Sequence, residues 1–262
     1  MTQTVNNPFF QSYNTPFVTP PFNEIKTEHY EPAFDKGIIQ LEKEIQEIVE
    51  NKQPATFENT IVALERSGKL LEKVSSAFFN VLNAEADDEM MEISQRVSPK
   101  LSESSNNIFL NERLFARVKD VYEQKEQLNL STEDAKLLEE TFESFSVRGA
   151  NLSPEDKEKY RKLSTDLSIL TLTFDQNALK DKNRYELLLT EEKDLAGLPE
   201  SIREAATYRA KEKGKEGWLF NLSAPSYIPF MRYSALRPLR EAMYREYMSV
   251  GNKGDEYDNK EI

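Results

Sequence analysis

The side chains that most often carry enzyme chemistry are scarce in this sequence. His29 is the only histidine, and the 262-residue chain contains no cysteine. A catalytic zinc ion usually takes three protein ligands from His, Glu, Asp or Cys, and an H-E-x-x-H helix supplies two of them from histidines. Glu28, His29 and Glu31 are close in sequence, but residues one and two apart do not share a helix face. These three residues therefore predict polarity at a helix start and no metal site.

Nucleophilic and phosphate-binding chemistry find no better support in the sequence. A Ser-His-Asp triad needs its histidine beside a nucleophile, and no G-x-S-x-G motif occurs. Neither a P-loop nor a G-x-G-x-x-G loop is present. Adjacent acidic residues such as Asp87 and Asp88, or Glu139 and Glu140, are common among 46 acidic residues, so they predict solvated helix faces. We expect no catalytic residue and no metal ligand in this chain, and the sequence identifies no substrate-binding residue.

The charge balance limits the partners of the protein. The formal net charge is -12, whereas nucleic-acid binding relies on clustered Lys and Arg that displace counterions from phosphates. The basic run at residues 209–215 includes Glu212 and falls at a predicted helix end, where the helix dipole favours cations. We therefore expect no nucleic-acid partner.

Hydropathy gives no sign of a membrane segment. The sequence does not open on a basic segment, and no run of about 18 apolar residues occurs in it. We therefore expect no membrane contact and a cytoplasmic location. Because the sequence contains no cysteine, neither a disulfide nor a free thiol indicates whether the protein works in an oxidising or a reducing compartment.

Proline and phenylalanine alternate through residues 1–26. Prolines at positions 8, 16, 20 and 21 oppose helix formation, and the phenylalanines between them offer apolar anchors. We expect an extended arm that packs on the surface of the domain; a partly disordered leader is the alternative. The remainder, residues 27–262, is predicted to form one helical lobe.

From Thr27 onward, apolar residues recur every three or four positions, which predicts amphipathic helices. The first helix should end near Asn51. The second should begin at Thr56 as its N-cap and run to Phe78. We expect it to continue through Gly68, because one glycine costs a helix only about 1 kcal/mol.

Three further helices are predicted from the same periodicity and from capping residues. Pro99 should kink the first of them, over residues 88–109, because proline removes a backbone donor. Asn111 is expected to cap the next helix. Ser131 should cap the third, with Gly149 as its stop.

The longest helix is predicted to begin after Ser153, with Pro154 at its first position. The apolar stripe that we expect it to bury consists of Tyr160, Leu163, Leu167, Leu170 and Phe174. If that stripe faces a core, replacement of Phe174 by alanine should cost about 3 to 5 kcal/mol of folding free energy.

Strand signals are confined to two short runs. Residues 185–190 and 218–223 are rich in β-compatible side chains and flank a predicted helix over 200–213, so we expect them to pair as a ribbon. Two strands do not make a sheet protein, and no repeat of fixed period occurs. The predicted fold class is therefore all-α, a multi-helix lobe with a short two-stranded β ribbon.

Two more helical segments, over residues 226–233 and 238–250, are predicted near the end of the sequence. The side chains expected to point inward from the second are Leu239, Met243 and Tyr247. Asp258 and Asn259 have the character of helix caps, so we expect a new helix to begin at the residues that follow them.

A set of sequence segments occurs in the order and spacing of one known family. One of them is TFENTIVALERSG, at residues 56–68. The others are residues 7–10, 21–22 and 25–30, VSPKL at 97–101, LNERLFARV at 110–118, residues 163–179, LAGLP at 195–199, residues 222–225 with Tyr227, residues 239–251, and residues 258–259. Together they cover nearly the whole chain. They resemble the opening region of the thimet oligopeptidase and peptidyl-dipeptidase family of zinc metallopeptidases.

This resemblance implies a fold, an activity and a cofactor. In that family an almost wholly helical chain forms two lobes around a deep channel that admits short peptides, and the H-E-x-x-H helix lies downstream of the matched region. The chain is thus expected to be the non-catalytic N-terminal lobe that walls the channel, truncated before the zinc-binding catalytic region. For the full-length peptidyl-dipeptidase or oligopeptidase, the resemblance implies zinc as cofactor, short peptides as substrates and a C-terminal catalytic lobe as partner. No catalytic or zinc-binding residue of the family transfers to a position in this chain.

A non-enzymatic protein is the alternative: a stand-alone helical scaffold for protein–protein interaction. In the lobe interpretation, the isolated chain should be inactive and should expose an apolar surface that the full-length enzyme buries. Met243 and Tyr247 mark the expected position of that surface.

Overall fold

The computed structural model describes residues 7–85 and 87–262, which form two compact units, one reaching Ile169 and the other comprising Leu170–Ile262. The helices are α1 (Tyr30–Glu50), α2 (Ala63–Glu65), α3 (Lys69–Glu85), α4 (Asp88–Phe109), α5 (Glu112–Glu123), α6 (Thr132–Val147), α7 (Pro154–Arg184), α8 (Glu200–Glu212), α9 (Ala224–Tyr233) and α10 (Arg237–Met248). The strands are β1 (Leu187–Leu189) and β2 (Trp218–Phe220). The predicted all-α class with a short ribbon is confirmed.

Side-chain caps begin the helices of the first unit where the sequence predicted them. Asn111 accepts a hydrogen bond from the backbone N–H of Leu114 at 3.0 Å, and Ser131 accepts one from Asp134 at 3.1 Å. Each bond satisfies a donor that has no partner inside its helix. After α6, Gly149 adopts a φ of 92°, the left-handed conformation that ends many helices.

The prediction that one helix runs through Gly68 is wrong. A π-helical turn over Phe57–Val62 leads into the short α2, and α3 begins only at Lys69. Gly68 lies between them with a φ of +73°, and its N–H donates to the Glu44 carboxylate at 2.7 Å. Because a left-handed residue cannot continue a right-handed helix, this glycine is a bend that tertiary contacts hold in place.

Two apolar clusters form the core of the first unit. In one, Phe34 and Phe78 meet edge to face with ring centroids 5.3 Å apart, a favoured aromatic geometry. Gly37 allows α3 to approach closely, since a Cβ there would lie 3.0 Å from the Cα of Leu71. The buried members of the other cluster are Ile45, Ile48, Val49, Ile61, Leu114, Phe115, Val118, Val121, Leu138, Phe145 and Ala150.

Residues 7–11, the first described residues of the proline-rich segment, are held against this core. Phe9 is buried beside Tyr30, with ring centroids 5.4 Å apart. The amide of Asn7 donates to the carbonyl of His29 at 2.7 Å, and Lys73 donates to the carbonyl of Gln11 at 2.7 Å. The predicted arm also includes residues 1–6, which lie outside the described residues.

The second unit is built around the predicted ribbon. Strands β1 and β2 pair antiparallel, with Leu188 opposite Leu219. The buried core residues of this unit are Leu189, Leu195, Leu198, Ala206, Phe220, Leu222, Phe230 and Met243. In the described parts of both units, no helix is long and apolar enough to span a membrane.

One expectation for the end of the chain is wrong. Tyr247 does not point inward: it is 41% exposed and stacks on Tyr227 with ring centroids 4.1 Å apart. Residues 260–261 form a turn, and the Asp258 carboxylate accepts a hydrogen bond from the backbone N–H of Lys260 at 2.9 Å. Asn259 is also bonded to α7, since its amide donates to the Phe174 carbonyl and accepts from Asn177, each at 3.0 Å.

Candidate functional site

The lone histidine is part of a helix start and not of a ligand cluster. His29 is buried, and its Nδ1 accepts a hydrogen bond from the backbone N–H of Lys26 at 3.0 Å. The Glu31 carboxylate faces Arg96 at 3.1 Å and Lys100 at 3.7 Å. Throughout the described ranges, no group of three or more His, Cys, Asp or Glu side chains is placed to hold a metal ion. These residues do not fit a zinc ion.

The adjacent acidic residues and the basic run of the sequence form helix caps, ion pairs and hydrogen bonds within the fold. Asp87 caps α4 by accepting from the backbone N–H of Met90 at 2.8 Å, and Glu139 pairs with Lys136 across one helical turn at 3.4 Å. In the basic run, the Arg209 guanidinium donates to the carbonyl of Leu219 at 3.0 Å. These contacts account for the motifs without a ligand.

Helix α7 exposes the apolar face that it was predicted to bury. We call four of its residues the α7 stripe; their exposed fractions are 67% for Leu163, 63% for Leu167, 42% for Leu170 and 49% for Phe174. Tyr160 is only half-buried. The prediction of a buried stripe is therefore wrong, and the condition for a cost of about 3 to 5 kcal/mol in Phe174→Ala is not met.

Polar residues occupy the packed side of α7. In the first unit, Lys157 is buried, and its ammonium group lies 3.0 Å from the Glu112 carboxylate. One turn further on, Arg161 donates to Asn107 at 2.8 Å. Next along the same face, Ser164 accepts from the Asn106 amide at 2.8 Å. Because buried polar groups are costly without partners, these bonds set the rotation of the helix and direct its apolar side outward.

In the second unit, the same helix is anchored by Asp181, whose side chain is fully buried. Its carboxylate accepts hydrogen bonds from the backbone N–H of Gly251 at 2.8 Å, from Lys253 at 3.0 Å and from Arg184 at 2.7 Å. Burial alone would raise the pKa of Asp181, but these bonds outweigh it and lower the pKa below its ordinary value. Asp181 is therefore a buried carboxylate that is kept charged by its partners.

The α7 stripe is the candidate functional site of the chain. Moving one exposed side chain of this size into an apolar contact gains about 1.5 to 3 kcal/mol, so a continuous row of them favours a protein contact. The periodicity revealed the stripe, but nothing in the sequence indicated that it faces outward. Of the two residues predicted to mark an exposed apolar surface, Met243 is fully buried in the core of the second unit, whereas Tyr247 is 41% exposed.

Fold and site together define a helical protein that presents an apolar helix face and whose described residues place no group of three metal ligands together. No family model matches the chain. It is 36% identical to the dipeptidyl carboxypeptidase of Escherichia coli K12 over 99% of its own length and 38% of that protein. It is 31% identical to oligopeptidase A of the same organism, over 95% of the chain and 37% of the relative. The probable cytosolic oligopeptidase A of Arabidopsis thaliana is 27% identical over 98% of the chain and 37% of the relative.

The chain belongs to the thimet oligopeptidase and peptidyl-dipeptidase family, as its sequence segments suggested. It spans little more than a third of the length of these curated relatives.

Proposed function

We propose that this chain is the non-catalytic N-terminal lobe of a zinc-dependent peptidyl-dipeptidase or oligopeptidase, where it walls the channel that admits short peptides. The observation that carries the proposal is the alignment of 99% of the chain with a dipeptidyl carboxypeptidase. Peptides are the substrates that the names of the relatives imply. The division into an arm, residues 1–26, and a lobe, residues 27–262, is part of the same proposal.

Zinc enters this proposal only as the cofactor of a longer protein. The described residues offer no cluster for it, and the H-E-x-x-H helix of the family lies downstream of the matched region. The catalytic lobe that would hold zinc is the proposed partner of this chain. The Arabidopsis relative is named as cytosolic, which supports the cytoplasm as the proposed compartment.

The gene should encode H-E-x-x-H beyond codon 262, and its longer product should cleave short peptides in a reaction that a zinc chelator abolishes. Residues 1–262 alone should show no cleavage, with or without added zinc. The matched control replaces the two motif histidines by alanine in the longer product, which should remove cleavage and leave the helical circular dichroism intact. A reading frame without the motif would contradict the proposal and favour the stand-alone scaffold.

Titration of residues 1–262 with zinc, followed by calorimetry, should show no stoichiometric high-affinity binding, because one histidine does not complete a zinc site. The variant His29→Ala should give the same trace as the parent chain. Tight one-to-one binding that disappears in His29→Ala would show that the lone histidine is a ligand after all.

A further inference from the structure

The four residues of the α7 stripe form one row along the helix. They are spaced by four, three and four positions, which places them on one face over about 16 Å at about 1.5 Å per residue. On α1 the same kind of spacing puts Phe34, Ile45 and Ile48 into the cores of the first unit. Among the described residues, the three apolar clusters take none from α7. The row is therefore an apolar face that joins none of the apolar clusters formed by residues 7–85 and 87–262.

The helix cannot turn this row inward without breaking its polar contacts. Rotation would separate Lys157 from Glu112 and Ser164 from Asn106 in the first unit. In the second unit it would withdraw Asp181 from Gly251. Since each break leaves buried polar groups unpaired, the outward direction of the stripe belongs to the folded state.

The size of the relatives indicates what covers the stripe. The chain matches 38% of the dipeptidyl carboxypeptidase, so more than half of that protein lies outside the matched region. Exposed polar residues flank the row, among them Lys162, Asp166 and Asp175. An apolar centre with a polar rim is the usual composition of a protein interface.

Resting on the proposed function, we propose that the α7 stripe is the docking face for the peptidase region that this chain lacks. Leu163, Leu167, Leu170 and Phe174 supply the apolar centre of that contact. The polar contacts of α7 keep these four side chains exposed before the peptidase region docks on them.

Single-cysteine labelling tests this proposal directly, because the chain has no cysteine of its own. Leu167→Cys probes the stripe, and Val147→Cys, at a position 83% exposed at the end of α6, is the matched control. Maleimide labelling is followed at the modified peptide by mass spectrometry, in residues 1–262 alone and in the longer gene product. In the longer product we expect labelling at position 167 to slow by roughly tenfold or more, since thiol reactivity requires access. Labelling at position 147 should not change.

The outcomes separate the docking proposal from the proposed function. Equal labelling of Leu167→Cys in the two proteins would overturn the docking face, even if the longer product cleaves peptides. Protection that appears in residues 1–262 alone and grows with protein concentration would show that a second copy is the occupant, and would overturn it as well. Protection in a longer product that cleaves no peptide would support the docking face while the proposed peptidase function fails. Leu163→Cys provides a second probe if the first variant folds poorly.

Discussion

Replacement of Asp181 by asparagine should lower the free energy of unfolding by about 3 to 5 kcal/mol, the usual cost of breaking a buried ion pair from one side. The carboxylate is fully buried and holds Lys253, Arg184 and the backbone of Gly251. The asparagine amide keeps the size of the side chain but removes the negative charge, so Lys253 loses a buried partner. Urea denaturation followed by the fluorescence of Trp218, the only tryptophan, measures the loss.

The control for Asp181→Asn is Asp255→Asn, which removes a second carboxylate that pairs with Arg184. The Asp255 side chain is 34% exposed, so solvent screens its ion pair and this change should cost much less than Asp181→Asn. Equal costs for the two variants would contradict the anchoring role of Asp181.

The same residue determines how stability should depend on pH. Burial would raise the pKa of Asp181, but its hydrogen bonds outweigh that effect, and its pKa in the folded protein is lowered. A carboxylate with a lowered pKa stabilises the fold above its unfolded pKa of about 3.9. That contribution is lost as the pH falls through the folded pKa. Asp181→Asn should therefore lose less stability than the parent chain on acidification below about pH 4.

Replacement of Phe78 by alanine should cost about 3 to 5 kcal/mol, because it removes a fully buried ring and leaves a cavity. The Phe78 ring meets Tyr30 at 5.0 Å, Phe34 at 5.3 Å and Phe79 at 5.2 Å between centroids. Circular dichroism during urea denaturation measures this change, since Trp218 lies in the other unit.

Phe174→Ala is the matched control for Phe78→Ala. It makes the same substitution on the exposed α7 stripe, where a cost within about 0.5 kcal/mol is expected in residues 1–262. Similar destabilisation by both variants would place Phe174 in a core and would remove the basis of the proposed docking face.

Local chemistry explains why much of this fold could be predicted from the sequence. Asn111 and Ser131 cap their helices because a short polar side chain can reach a free backbone N–H within one turn. The ribbon of β1 and β2 follows from two short β-compatible runs with a helix between them. These elements depend on neighbours that the sequence itself places close together.

Other features depend on partners that are distant in sequence. Gly68 looked like a tolerated helix residue, yet it bends the chain because Glu44, on another helix, binds its N–H. Met243 and Tyr247 share one predicted face, but only Met243 enters the core. Periodicity shows that a helix has an apolar side; it does not show which neighbour meets that side.

The sequence by itself determined the helical class, most helix starts, the family and the expectation that this chain carries no H-E-x-x-H zinc site of its own. Only the tertiary structure decided the direction of α7. The sequence pattern predicted both an apolar and a polar face for this helix. Because apolar side chains tend to be buried, the same pattern predicts that Leu163 and Phe174 lie inside. The structure shows the opposite, because Lys157, Ser164 and Asp181 find hydrogen-bond partners on other segments. Such pairings join residues that are far apart in the chain. They fix the rotation of α7 about its axis, which hydrophobic periodicity alone does not determine.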